Sequence, residues 1–240
     1  MKRFLIWLLC LWAFASLCLA DEMRIKRKAM IEAIEETVAE TRHYLDSESF
    51  DPRVMAAMER IPRHEFVPES QLPDAYENRP LPIGFGQTIS QPYIVALMTD
   101  LIETTPQDRV LEIGTGSAYQ AAVLSELVAE VYSIEVIEAL GQQAAERLQR
   151  LGYGNVHTRI GDGYYGWPEQ APFDAILVTA AASHVPPPLI QQLKPGGRMV
   201  IPIGSRFMTQ QLLFVEKSDE GTVSTRQVMP VMFVPLTGEH

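Results

Sequence analysis

Apolar residues between 23 and 45 recur on one helical stripe: Met30, Ile31, Ile34, Val38 and Leu45 share a face, with Glu and Arg opposite. Asp51 and Pro52 then read as an N-cap and a first helical residue, opening a short helix that carries Met55 and Met58. From 62 to 92 the period disappears. PRHEFVPES and RPLPIGFGQTISQP are rich in Pro, Gly and Gln and too irregular for a strand or helix of any length. A long ordered loop in a compact domain is more often functional than not.

Downstream, apolar runs alternate with amphipathic segments. The pattern predicts strands at 109–113, 131–135, 156–160, 173–179 and 198–202, with helices at 119–128, 137–151 and 186–193. FDAILVT at 173–179 is a nearly continuous apolar run, as a parallel strand covered on both faces requires. Lys194-Pro195-Gly196-Gly197 reads as the turn into the strand at 198. Two strand-like runs, 211–216 and 227–236, have no helix between them and should add an antiparallel edge. The alternation predicts an α/β fold, with N-terminal helices ahead of a Rossmann-like, doubly wound, mostly parallel sheet. The division expected is a leader at 1–20 and a single domain at 21–240. That domain comprises N-terminal helices and loop (21–92), a core (93–204) and edge strands (205–240).

The leader has its own pattern: Lys2 and Arg3, an apolar run from Phe4 to Phe14, then small residues at Cys18 and Ala20 before Asp21. That is the arrangement of a cleavable signal peptide, and it predicts a periplasmic or secreted protein with no stable membrane association after cleavage. A membrane anchor is the alternative, but the run is short against the ~20 residues of a span. Cys10 and Cys18 are the only cysteines, so the mature chain would have no disulfide, thiolate nucleophile or Cys-ligated metal. The net charge of -10 becomes -12 once Lys2 and Arg3 are removed. An acidic chain without a basic tract predicts no nucleic-acid partner. The five histidines show no metal-ligand spacing, and no metal site is expected.

Leu111-Glu112-Ile113-Gly114-Thr115-Gly116 runs from a buried strand into a glycine turn, the place where a doubly wound sheet binds its ligand. A dinucleotide fingerprint needs a further glycine at 119, which here is Tyr119, and no GxxxxGK[S/T] is present. Glu135 closes the next strand, where a carboxylate can accept both ribose hydroxyls. Asp162, in Gly161-Asp162-Gly163, closes the third, where an acid can accept a hydrogen bond from the adenine amine. A ribose carboxylate and an adenine acceptor without a phosphate cradle describe a phosphate-free adenosine. S-adenosylmethionine fits, with its methionine end over the turn and the following helix N-terminus. Glu112 would orient the turn or reach the methionine amine. Thr179-Ala180-Ala181, after the fourth strand, would line the pocket through the backbone.

RHEFVPES, LPIGFGQTISQPYIVALMTDLI, RVLEIGTGSAYQAAVLSELV, GDGYYGWPEQAPFDAILVTAA, LIQQLKPGGRMVIPIG and FVPLTGE carry a resemblance. Over residues 25–237 the chain resembles the protein-L-isoaspartate (D-aspartate) O-methyltransferase family. GQTISQP and VPLTG are specific to that family within the wider methyltransferase fold. Ala118 departs from the motif, which usually continues Ser-Gly-Tyr; a methyl at a helix start should be tolerated with a slight shift of the turn. The leader departs too, since members are typically cytosolic, and a cytoplasmic location is the alternative.

The resemblance implies methyl transfer from S-adenosylmethionine to the free α-carboxylate of L-isoaspartyl residues in damaged proteins and peptides. It implies cofactor contacts at Thr88, Ile89, Glu112, Gly114, Thr115, Gly116, Glu135, Asp162, Gly163 and Thr179, and substrate contacts at Ser90, Val234, Pro235, Leu236 and Thr237. A carboxylate of pKa about 3.5 to 4 is already ionised at neutral pH, so no general base is needed. Ser90 is the candidate catalytic residue, a neutral donor that orients the carboxylate; no Ser-His-Asp arrangement surrounds it. Its competing role is to N-cap the helix starting near Pro92. The rival functions are methylation of another carboxylate, non-catalytic isoaspartyl binding, and NAD-dependent oxidoreduction, which Tyr119 opposes. A monomer is expected.

Overall fold

The computed structural model describes residues 2–45, 47–205 and 208–239, with side chains from Asp21 onward. Helix α1 (Lys2–Thr41) carries the predicted stripe, with Met30, Ile34 and Val38 buried. Its backbone extends through the leader, whose apolar side chains lie outside the described residues. Among the described residues no helix is long and apolar enough to cross a membrane. Helix α2 (Pro52–Arg60) starts as its sequence predicts: Asp51 Oδ1 accepts the Arg53 N–H at 2.7 Å.

The irregular stretch folds into two 3-10 turns, Arg63–Phe66 and Glu69–Asp74, and a small antiparallel hairpin. The hairpin pairs β1 (Leu81–Gly84) with β2 (Gln87–Ile89) through Gly84-Phe85-Gly86, all three at positive φ. Strands of four and three residues are too short to show alternation, which is why the sequence reads as loop. Helix α3 (Pro92–Leu101) follows.

The main sheet comprises β3 (Arg109–Ile113), β4 (Glu130–Glu135), β5 (Val156–Ile160), β6 (Phe173–Val178), β7 (Leu193–Ile203), β8 (Gln210–Lys217) and β9 (Val223–Val231). Its order is β5-β4-β3-β6-β7-β8-β9; neighbours pair in parallel up to β7 and antiparallel beyond it. Helices α4 (Tyr119–Ser125), α5 (Glu138–Leu151) and α6 (Pro187–Gln192) fill the crossovers. Along the buried strands the pleat sends alternate residues to two cores. Val110, Ala175, Leu177 and Val200 join the one under α1 to α5, whereas Leu111, Ile113, Ile176, Val178 and Ile201 join the other. Strand order reverses between β3 and β6, so the connections leaving their carboxyl ends diverge and open a crevice there.

Two boundaries differ from the sequence reading. Lys194-Pro195-Gly196-Gly197 is not a turn ahead of β7 but an irregular part of it, where the register with β6 shifts and Gly196 takes φ +76°. The last strand ends at Val231 instead of 236. Beyond it, Ala181 takes the segment away from the edge: its N–H donates to Val234 O at 2.8 Å and its carbonyl accepts the Leu236 N–H at 2.7 Å.

Candidate active site

Gly114 and Gly116 make the turn at the end of β3, with φ of +97° and +51°. The turn is fastened on three sides. Ile134 O accepts the Gly114 and Thr115 N–H groups at 2.9 and 3.2 Å. Thr179 Oγ1, at the end of β6, shares its proton between Ile113 O and Gly114 O at 2.9 and 2.8 Å. Glu135 Oε2 accepts the Gly116 N–H at 2.7 Å, and its Oε1 accepts the Ile137 N–H at 3.0 Å. A Cβ added at Gly114 would overlap Thr179 Oγ1, and one at Gly163 would overlap Ile113, so both positions admit only glycine without rearrangement. Ala118 sits at φ +68°, immediately before α4. The left-handed backbone accounts for the glycine usual at this position; an alanine there costs about 1–2 kcal/mol, and nothing in the structure explains the exchange.

Thr115 and Glu112 lie under the turn instead of in the crevice, correcting the expectation of direct cofactor contacts. Thr115 Oγ1 and Ser133 Oγ are 2.6 Å apart, and Ser133 in turn donates to Glu112 Oε2. Both residues are buried because the pleat sends Glu112 into the core beside its register partner Ser133. Burial pushes the Glu112 carboxyl up to about 8, against the Ser133 hydrogen bond that lowers it. The carboxyl is therefore chiefly protonated at neutral pH. An unfolded glutamate ionises near 4.5, so between there and about 8 the unfolded state releases the proton first and stability falls as pH rises. Glu112→Gln should remove that slope, at most ~1.4 kcal/mol per pH unit. Urea unfolding of both proteins at pH 5, 6.5 and 8 would show it; parallel profiles would contradict it.

The crevice is lined by Gly114, Gly116, Glu135 and Gly163 on the sheet side, Thr88 across from them, and Val234, Pro235, Leu236 and Thr237 along the tail. Among the described residues Glu135 is the only ionisable side chain of the lining, and none of them would neutralise a phosphate. Asp162 is placed otherwise than expected. Its carboxylate accepts the Tyr164 N–H at 2.9 Å and the Glu239 N–H at 2.8 Å, so it fastens the C-terminal tail. With the tail folded in, the crevice holds about 60 Å³. A small-molecule site occupies several hundred Å³, more than the crevice offers with Val234–Thr237 in this position.

A second cavity, of about 510 Å³, opens beside the first and shares Thr88, Thr179 and Val234 with it. Ser90 lies in its wall, and the Ser90 hydroxyl makes no hydrogen bond within the described residues. The N-cap of α3 is Gln91, so the capping role weighed for Ser90 does not apply. Ile89, expected at the cofactor, is buried in the core because the hairpin register pairs it with Leu81. Sequence reasoning missed Thr37 and Thr41 on α1, Met229 in the edge strand β9 and Met232 just beyond it, all in this lining. Among the described residues no charged side chain lines it.

A reversing parallel sheet with a glycine turn, an acid closing the second strand and no phosphate-neutralising group defines a class I S-adenosylmethionine-dependent methyltransferase. Comparison with known proteins narrows the class. The protein-L-isoaspartate(D-aspartate) O-methyltransferase family model matches residues 31–240, and the chain belongs to that family. It is 64% identical over 220 residues to protein-L-isoaspartate O-methyltransferase 1 of Cupriavidus necator, covering 92% of this chain and 85% of that one. It is 67% identical over 211 residues to protein-L-isoaspartate O-methyltransferase 2 of a Polaromonas species, covering 88% of this chain and all (100%) of that one. Among solved structures, a protein-L-isoaspartate O-methyltransferase superposes with a TM-score of 0.77 at 31% identity, over 88% of this chain and 66% of that one. A Plasmodium falciparum structure in complex with S-adenosyl-L-homocysteine shares the fold, with a TM-score of 0.70 at 24% identity over 88% of this chain and 98% of that one.

Proposed function

We propose that the protein is a repair methyltransferase, moving a methyl group from S-adenosylmethionine to the free α-carboxylate of L-isoaspartyl residues, and to the side-chain carboxylate of D-aspartyl residues, in damaged proteins. The observation that carries this reading is the junction at Thr88, Thr179 and Val234: one crevice against the glycine turn adjoins a cavity bearing Ser90 whose described lining is uncharged. The crevice suits an adenosyl group, with Gly114, Gly116 and Gly163 giving close backbone approach and Glu135 held where ribose hydroxyls would reach it. S-adenosylmethionine supplies an electrophilic methyl on a sulfonium. The chain's own part is alignment. Ser90 donates to the acceptor carboxylate without the tight ion pair that would blunt its nucleophilicity. Well-oriented systems gain ~7–11 kcal/mol from such alignment.

The test is incubation with tritiated S-adenosylmethionine and paired peptides, one isoaspartyl and one normal aspartyl. The expected result is a base-labile methyl ester on the isoaspartyl peptide only. Label on small free carboxylates instead would favour the rival acceptor. We propose also that residues 1–20 direct export and are removed, and that the mature protein acts as a monomer. N-terminal sequencing after fractionation should find a start at Asp21 outside the cytosol; an uncleaved cytosolic chain would contradict it.

A further inference from the structure

Arg63 is fully buried, and no carboxylate of the described residues pairs with it. Its Nε donates to Ala75 O at 3.0 Å and its Nη2 to Ser90 O at 2.7 Å. The guanidinium lies 4.7 Å from the centre of the Tyr119 ring, and its Nη1 has no partner. Burial pulls its pKa down to about 10, which leaves it cationic at neutral pH. A buried charge without a counter-ion is costly to the fold. Among the described residues, the only contact it makes toward the candidate site is with Ser90, and those that line the Ser90 cavity are neutral.

We propose that Arg63 is a positioning residue for the acceptor: it fixes the Ser90–Gln91 peptide from behind and supplies the positive potential that draws a carboxylate into the uncharged cavity. The inference rests on the reading of Ser90 given above. A trans peptide puts the Gln91 N–H on the opposite side of the unit from the carbonyl that Arg63 holds. A cation on that carbonyl polarises the unit and strengthens the opposite donor. Ser90 and Gln91 both line the cavity, so the cation acts one peptide away from the substrate. It attracts the anion without contacting it, leaving the attacking oxygen free. Burial also shields it from the salt screening that weakens surface charges.

The test compares the full chain with Arg63→Met and Arg63→Lys. The readouts are S-adenosylhomocysteine affinity by calorimetry, kcat and KM for an isoaspartyl peptide, and inhibition by the same peptide carrying an α-amide in place of the α-carboxylate. Arg63→Met should raise peptide KM about tenfold or more and abolish the preference for carboxylate over amide, with cofactor-product affinity within about twofold. Arg63→Lys should restore the preference while kcat stays about tenfold low, because a single ammonium nitrogen does not reproduce the fixed fork in which Nε and Nη2 hold two separate carbonyls. Unchanged KM and preference in Arg63→Met would overturn the proposal, as would parallel loss of cofactor and peptide binding. If Arg63→Met does not fold, Arg63→Lys decides: wild-type kcat, or loss of the carboxylate preference, overturns it. Wild-type protein that forms no ester would sink the functional reading itself; ester formation with Arg63→Met indifferent would sink this inference alone.

Discussion

Gly114→Ala should eliminate measurable binding of S-adenosylhomocysteine and reduce methyl transfer to background. The backbone there has φ +97°, which an L side chain rarely adopts, and left-handed backbone costs about 1–2 kcal/mol. The added methyl would also overlap Thr179 Oγ1. Thr179 cannot turn aside cheaply, since the same hydroxyl holds Ile113 O and Gly114 O. Together these should displace the turn at a cost of ~2–4 kcal/mol, lowering Tm by several degrees and cofactor affinity about a hundredfold or more. The double variant Gly114→Ala/Thr179→Ala should recover part of the loss, because the two residues share one contact. Wild-type affinity in Gly114→Ala would show that the turn does not hold the cofactor.

Ser90→Ala should separate chemistry from cofactor binding. The hydroxyl has no partner among the described residues, so stability should change by under ~0.5 kcal/mol. Toward an ionised acceptor the donor is worth ~1.5–3 kcal/mol, or roughly 10- to 150-fold in kcat/KM. Steady-state kinetics with an isoaspartyl peptide would read that loss while S-adenosylhomocysteine affinity stays within about twofold. Unaltered kcat/KM would remove Ser90 from the mechanism, and Thr88, which borders both cavities, would be the next donor to examine.

How much of this was legible in the sequence divides along chain distance. The strands, the glycine turn and Glu135 follow from period and local chemistry, because each is decided within a few residues. The crevice follows from strand order. What could not be read were contacts between residues far apart in the chain. Asp162 has the composition of a ligand acceptor, yet it is held by the Glu239 N–H, 77 positions away. Thr115 stands beside two glycines that face the crevice, but its side chain turns to Ser133 beneath. The burial of Arg63 has no local signal: a cation in an irregular, polar segment looks like a solvated one until the loop folds over it. The tail offered apolar residues at 234 and 236, enough to look like strand, but only tertiary structure shows that Ala181 takes their backbone groups.

The account's central claim is that the crevice and the Ser90 cavity are two halves of one reaction path, bordered by the C-terminal tail. A crystal structure of the protein with S-adenosylhomocysteine and an isoaspartyl peptide tests it most directly. The account predicts adenosine against Gly114, Gly116, Glu135 and Gly163, with Val234–Thr237 displaced outward from its present path. The sulfur should face the peptide carboxylate across the Thr88–Thr179–Val234 junction, with Ser90 Oγ on that carboxylate. A cofactor product bound elsewhere, or a sulfur turned away from a carboxylate that Ser90 does not touch, would contradict it.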